Sequence, residues 1–230
     1  MCSRGHKKLF RIDLGRTRYG PTWELQKRLL MQRADGSIPD CLITTEHEPV
    51  ITMGRATCGN NLLVTAEELG WREIDLHEVE RGGDITFHGP GQAVLYPIID
   101  LTERGRDVRQ YLRHLEQAVI DGLSEMGIQA YPREGMTGIW TNRGKIGAIG
   151  VAVSRWITYH GAAVNINTDL DYFSLINPCG ITKYPVTSAE QVLGAPLDLA
   201  EATDLLVAAV VDRFGYEVET VTAEQLVQAA

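Results

Sequence analysis

Apolar residues along the chain fall into two rhythms. Leu9 to Leu14, Cys41 to Thr45, Val50 to Met53, Ala93 to Ile99, Ile146 to Val153 and Ile157 to Ile166 form short runs, rich in β-branched residues and bounded by turn formers. That pattern predicts strands. A helical period begins after Asp107, where Val108, Tyr111, Leu112, Leu115, Val119, Gly122, Leu123 and Met126 share one face. Asp107 is placed to cap the first turn and Gly127 to stop the last. Pro21 to Arg33 reads as an earlier helix. Toward the carboxy terminus, Thr187 with Glu190, Asp198 with Glu201 and Thr222 with Gln225 have capping-box spacing, predicting a helix-rich end. Strands occur both in succession and separated by helices. The expected fold class is therefore α+β, a mixed β-sheet flanked by helices rather than a regular βαβ succession.

At 230 residues and 25.5 kDa the chain can bury one substantial core. It has no internal repeat, low-complexity tract or long linker, so one domain over residues 1–230 is expected, with poorly defined ends at about 1–8 and 217–230. A formal net charge of −8 argues against a nucleic-acid partner. No apolar run approaches the ~18 residues of a membrane span, so no membrane partner is expected either. The stretch from Leu9 to Arg18 carries Arg11, Asp13, Arg16 and Arg18 where a signal peptide needs an apolar run. Cys2, Cys41, Cys58 and Cys179 include no C-x-x-C pair, which fits neither a zinc cage nor a disulfide framework. A cytoplasmic protein without a metal site is the expectation.

Four segments carry candidate chemistry. Arg81-Gly82-Gly83-Asp84-Ile85-Thr86-Phe87-His88-Gly89-Pro90-Gly91-Gln92 is dense in glycine and proline, so backbone can approach a ligand while Arg81, Thr86 and His88 supply donors. A pair of tight turns between strands would look the same. The segment lacks both the Lys-Ser/Thr ending of a P-loop and the G-x-G-x-x-G spacing. Lys145 starts a small, apolar strand containing Ala148, Ile149 and Gly150; partial burial would hold its ammonium near a reactive group, whereas a surface strand-edge lysine is the plainer alternative. Gly161, Ala162 and Ala163 either line an apolar channel beside His160 and Asn165 or allow a helix to pack closely on the sheet. In Asn177-Pro178-Cys179-Gly180, proline and glycine favour a turn presenting the thiol, although a lone cysteine is commonly a small buried hydrophobe.

Together these segments resemble the octanoyltransferases of lipoate biosynthesis. The pattern R-G-G-x-x-T-x-H-G-P-G-Q occurs here from Arg81 to Gln92 and is followed by Tyr96-Pro97. The resemblance extends through Glu46-His47-x-Pro49-Val50-x-Thr52-x-Gly54-Arg55, Asn61-Leu62-Leu63, Gly138-Ile139-Trp140, Lys145-Ile146, His160-Gly161-x-Ala163-x-Asn165, Asp169-Leu170, Phe173 and Pro178-Cys179-Gly180-Ile181. It spans about residues 9 to 215, and the separation of Lys145 from Cys179 is similar to that of the family's catalytic pair.

The resemblance implies the fold of biotin and lipoate protein ligase catalytic domains, with an acyl-binding tunnel and a catalytic Cys179/Lys145 pair at its mouth. It implies that the residues from Arg81 to His88, from Ala148 to Gly150 and from Gly161 to Ala163 bind substrate. The implied activity moves an octanoyl group from octanoyl-acyl carrier protein to a lysine of a lipoyl domain, through a Cys179 thioester and with no cofactor. The acceptors would be the lipoyl domains of 2-oxoacid dehydrogenases and the glycine cleavage H protein, making this the first step of endogenous protein lipoylation. Backbone N–H groups near Gly82, Gly83 or Gly180 are candidates to stabilise the carbonyl oxygen. Two rivals share parts of this pattern: an ATP-dependent lipoate or biotin ligase, and a non-catalytic acyl-binding module.

Overall fold

A computed structural model describes residues 7–57, 61–177 and 185–227. Cys179 with its neighbours Pro178, Gly180 and Ile181, and Cys58, lie outside the described residues. The chain runs β1 (Lys7–Thr17), α1 (Tyr19–Asp35), β2 (Asp40–His47), β3 (Val50–Met53), α2 (Ala66–Trp71), β4 (Asp75–Glu78), β5 (Ile85–His88), β6 (Gln92–Ile98), α3 (Val108–Glu125), β7 (Tyr131–Arg133), β8 (Met136–Thr141), β9 (Gly144–Ser154), β10 (Ile157–Asn165), α4 (Ala189–Leu193), α5 (Leu199–Phe214), β11 (Tyr216–Thr220) and α6 (Ala223–Val227). Short 3₁₀ turns occupy Thr102–Arg104 and Leu170–Leu175.

Among the described residues, eight strands form one sheet in the order β11-β1-β2-β6-β10-β9-β8-β7, and β4-β3-β5 form a second. β1 pairs in parallel with both β11 and β2, whereas the pairs from β2 to β7 across the sheet are antiparallel. The large sheet is thus mixed and flanked by helices, as the alternation of patterns predicts. α3 and α5 bury Leu115, Val119, Leu123, Leu206 and Val210 against Leu95, Ile149, Ala162 and Val164 on one face. On the other, α1 buries Tyr19, Leu25 and Leu29 against Ile43, Val94, Tyr96 and Ala163. The small sheet packs Ile51, Ile85 and Phe87 against Leu175 and Ile176.

Asp107 accepts from the Arg109 and Gln110 N–H groups at 2.9 Å and caps α3 as its sequence pattern predicts. Asp198 likewise caps α5, and Thr222 and Gln225 exchange bonds as a capping box at α6. The cap of α4 is Ser188, not Thr187: Ser188 Oγ accepts from Gln191 N–H at 3.2 Å, while the Thr187 hydroxyl turns to Gln191 Oε1. The carboxy-terminal part is helix-rich as expected, with β11 added between α5 and α6, where it closes the sheet edge beside β1. Asp40 fixes that edge, accepting from Arg33 Nε at 2.7 Å and from the Tyr216 hydroxyl at 2.5 Å.

Candidate functional site

Where β9 and β10 face the small sheet, their adjacent positions are Ala148 opposite Ala163 and Gly150 opposite Gly161. With nothing larger than a methyl there, the sheet leaves room for the segment 81–84 to lie on it. Gly82 N–H donates to Val151 O at 2.8 Å, and a Cβ on Gly150 would sit only 2.9 Å from Gly82 O. Gly161 serves a different approach. A Cβ there would overlap the Leu95 carbonyl of β6 and stand 2.7 Å from Pro97 Cδ, so its smallness admits a neighbouring strand rather than a helix.

One cavity results. It brings Arg81, Gly83, Asp84, Ile85, Thr86 and His88 together with Lys145, Ala148, Ile149, Gly150, Gly161, Ala162 and Ala163. Ile149 and Ala162 also belong to the core under α3 and α5. Gly82 and Phe87 do not line it. Gly82 is occupied by its bond to Val151, which also removes its N–H as a donor to a substrate oxygen. Phe87 stacks on Tyr172 with ring centroids 4.6 Å apart, inside the small-sheet core.

Arg81 is buried and pins the loop from within. Its guanidinium donates to the carbonyls of Thr52 and Asp84, each at 2.7 Å, and to Thr52 Oγ1 at 2.9 Å. Asp84 is also buried. Its carboxylate accepts from Ile85 N–H at 2.7 Å and from Asn61 Nδ2 at 2.6 Å, so it ties the loop to the segment at Asn61.

Above the stripe of small residues sits a group of buried rings: Tyr19, His47, His88, Tyr96 and His160. His47 Nδ1 faces the Thr17 carbonyl at 3.2 Å, so that nitrogen carries the proton and Nε2 accepts from the Tyr96 hydroxyl at 2.8 Å. Burial drives all three imidazoles below their ordinary range. It takes His47 to about 4 against the opposing pull of the Thr17 carbonyl, and His88 to about 3 with charge on His47 adding to the effect. It takes His160 to about 3 with Arg81 and Lys27 adding. Burial also raises the Tyr19 and Tyr96 phenols. At neutral pH these rings are uncharged, and the buried Arg81 guanidinium lies close enough to act on Tyr19, His88, Tyr96 and His160. His160 holds φ +57°, a conformation that costs a non-glycine residue roughly 1–2 kcal/mol, and its N–H reaches Gln26 Oε1 of α1 at 2.7 Å.

Lys145 marks the other end. It is half-buried, and its ammonium lies 5.8 Å from the centre of the Trp140 ring. Its backbone is held by the chain that leads out of the Cys179 segment: Lys145 N–H donates to Pro185 O and Thr187 N–H donates to Lys145 O, both at 2.9 Å. The chain that leads into that segment is anchored as well, Asn177 N–H donating to Asn61 O at 2.7 Å. Through Asn61 and Asp84 this second anchor joins the loop below Arg81.

The cavity has further walls beyond the expected substrate-binding residues: Tyr19, Gln92, Tyr96, Thr137, His160, Asn165, Phe173 and Val186. Gln92, Tyr96, His160, Asn165 and Phe173 fall inside quoted motifs, which is the available signal for them. Tyr19, Thr137 and Val186 are brought in by tertiary packing alone. Among the described residues, no group of three or more His, Cys, Asp or Glu is placed to hold a metal ion, and no helix is long and apolar enough to cross a membrane.

Residues 18–211 match the lipoyl protein ligase A/B catalytic domain family. The chain is 44% identical to the octanoyltransferase of Pelobacter propionicus over 82% of its length and 87% of the relative's. It is 46% identical to that of Geobacter metallireducens, covering 82% and 85%, and 40% identical to that of Desulfotalea psychrophila, covering 90% and 94%. In backbone the chain is similar to a lipoate-protein ligase A bound with ATP, with TM-score 0.72 and 18% identity over 97% of this chain and 92% of that one. It is also similar to a bipartite lipoate protein ligase of Thermoplasma acidophilum, with TM-score 0.72 and 17% identity over 97% and 91%. At such identity the two structures speak to the fold alone.

Proposed function

The chain belongs to the octanoyltransferases of the lipoyl protein ligase A/B catalytic-domain family, and from that premise we propose that it transfers octanoyl groups through a thioester on Cys179. It is an acyltransferase of the lipoylation machinery. Its donor is octanoyl-acyl carrier protein, and its acceptors are the lipoyl-domain lysines of 2-oxoacid dehydrogenases and of the glycine cleavage H protein. Residues 1–230 act as one acyltransferase domain in the cytoplasm, catalysing the first step of endogenous lipoylation.

The observation that supports this reading is the grip on Lys145. The chain emerging from the Cys179 segment bonds both backbone polar groups of Lys145, which lines the cavity. A free thiol, with a pKa near ~8.5, is mostly protonated at neutral pH, and a neighbouring ammonium or amine favours the thiolate. Lys145 takes up the thiol proton, and its ammonium then stabilises the Cys179 thiolate. The Cys179 sulfur attacks the donor thioester carbonyl, the carbon–sulfur bond to the carrier breaks, and the carrier thiol leaves with a proton. The acceptor lysine then attacks octanoyl-Cys179; an amide forms and the Cys179 thiol is released. Loss of thioester for amide resonance makes the sequence downhill without ATP. The developing oxyanion takes its donors from Gly83 or Gly180, since Gly82 N–H is engaged. The acyl chain lies along Ala148, Gly150 and Ala163, each buried CH₂ contributing ~0.8 kcal/mol.

The test mixes protein with octanoyl-loaded carrier in the absence of ATP and looks by intact mass for a hydroxylamine-labile octanoyl adduct. The adduct is expected in wild type, absent in Cys179→Ala, and formed at least ~100-fold more slowly in Lys145→Ala. Absence of any adduct, with lipoyl-domain acylation appearing only when ATP is added, would replace this reading with the ligase one.

A further inference from the structure

Along one wall of the cavity runs a file of buried side chains, His88, Gln92 and Asn165, to which the reaction above assigns no part. His88 Nδ1 lies 2.7 Å from Gln92 Oε1, Gln92 Nε2 lies 2.9 Å from Asn165 Oδ1, and Asn165 Nδ2 lies 3.0 Å from Thr187 O. His88, Gln92, Asn165 and Thr187 are all buried. The direction of the file is fixed by its ends. A carbonyl can only accept, so Asn165 presents its NH₂ to Thr187 O and its oxygen to Gln92. Gln92 Nε2 also meets the Phe87 carbonyl at 3.3 Å, which leaves Gln92 Oε1 to accept from protonated Nδ1 of His88. Neutral His88, with a proton on one ring nitrogen, meets that requirement.

The file ends on the short strap 185–187, which grips Lys145. Thr187 sits between the two: its carbonyl takes the Asn165 amide, and its N–H goes to Lys145 O at 2.9 Å. The strap is also pressed against the start of β9, where Gly144 leaves no space for a Cβ beside Pro185. Two small apolar side chains would satisfy the cross-strand pairing of Asn165 with Gln92 without burying four amide polar groups, each of which costs roughly 1–3 kcal/mol if left unpaired. The amide pair instead directs a donor at one carbonyl of the strap.

We infer that Asn165, oriented by Gln92 and His88, is a positioning residue for Lys145, fixing the strap 185–187 against β9 and so the place where the Lys145 side chain meets the reacting thiol. The inference rests on Lys145 being the group that activates that thiol. Asn165 acts through the strap and has no step of its own in the chemistry.

The test follows alkylation of Cys179 by iodoacetamide against pH, together with single-turnover acylation by octanoyl-loaded carrier. Wild type is compared with Lys145→Ala, Asn165→Ala and Gln92→Met, the last keeping the bulk of the glutamine. In Lys145→Ala the alkylation profile shifts to higher pH. The inference expects Asn165→Ala to shift it the same way and to slow acylation at saturating carrier by about 10- to 100-fold with KM little changed. Gln92→Met should move both readouts in the same direction by less. A general loosening of the fold would lower the melting temperature without moving the alkylation profile. If Lys145→Ala shifts the profile and neither folded Asn165→Ala nor folded Gln92→Met does, the positioning role is refuted and the role of Lys145 stands. If Lys145→Ala shifts nothing, both fall together.

Discussion

Replacing Gly144 by alanine perturbs the strap directly. Gly144 has φ +139°, and a Cβ there would overlap the Pro185 carbonyl oxygen and lie 2.9 Å from Pro185 C and 3.2 Å from Pro185 Cγ. The backbone conformation costs an alanine about 1–3 kcal/mol, and forcing a methyl into occupied space costs about 1–3 kcal/mol more. The strap has a way to yield, because retreating sacrifices chiefly the Lys145 N–H to Pro185 O bond, worth about 1 kcal/mol net. The overlap is then relieved by a shift of about 1 Å, and the net destabilisation should be about 2–4 kcal/mol. For a chain of this size that lowers the melting temperature by roughly 5–15 °C. A misplacement of about 1 Å at a reacting pair slows the step on the order of 100-fold. The check is thermal melting alongside rapid-quench acylation by octanoyl-loaded carrier, with the rate read at saturating donor. A folded Gly144→Ala protein that acylates within about twofold of wild type would refute the claim that the strap holds Lys145 in its working place.

Arg81→Lys should destabilise the chain by at least about 3 kcal/mol in urea unfolding, because a lysine cannot satisfy the Thr52 and Asp84 carbonyls and the Thr52 hydroxyl together; wild-type stability would contradict the pinning role. Ala148→Leu should fill part of the cavity and move donor preference from octanoyl toward hexanoyl by roughly tenfold in kcat/KM, at ~0.8 kcal/mol for each displaced CH₂; an unchanged preference would remove this cavity as the acyl pocket. The depressed pKa values of His47, His88 and His160 set the sign of an acid sensitivity. Below pH ~6.5 the unfolded chain takes up protons that the native rings refuse until about pH 4 for His47 and about pH 3 for the others. Stability therefore falls as pH drops through that window, by on the order of 2 kcal/mol per histidine between pH 7 and pH 5. Urea midpoints at the two pH values check it, and replacing His88 by glutamine should flatten the dependence.

The elements with a clean period are visible in the chain itself. The helix after Asp107 and the runs that became β2, β3, β6, β9 and β10 are found where their patterns put them, to within a few residues. The earlier helix starts at Tyr19 rather than Pro21 because proline fits within a first turn, where its missing N–H has no partner to lose. β5 was hidden because Ile85–His88 is four residues long and flanked by glycines on both sides, so its composition reads as a loop. β11, with exposed Glu217 and Glu219, gains its place by pairing with β1, a contact no local pattern announces. The site divides in the same way. Composition singles out the glycine-rich loop and the small residues of β9 and β10, while Tyr19 and Val186 reach the cavity from opposite ends of the chain. Phe87 lies amid polar and glycine neighbours in a loop-like sequence, yet its ring is taken up by the small-sheet core, stacked on Tyr172.

The pairing of β1 with β11 also bears on the order in which the protein is made. Lys7 lies beside Tyr216, residues separated by 216 − 7 = 209 positions, so β1 is synthesised long before one of its two neighbours. Its other neighbour, β2, is made early, and β1 can pair with it long before residue 216 leaves the ribosome. Until then the outer side of β1 presents unpaired backbone, the kind of edge that recruits other chains. Closing so long a loop is entropically slow, so sealing of this edge should come late in folding. During synthesis, aggregation should start from β1, on the far side of β2 from the strands β6, β10 and β9 that line the cavity.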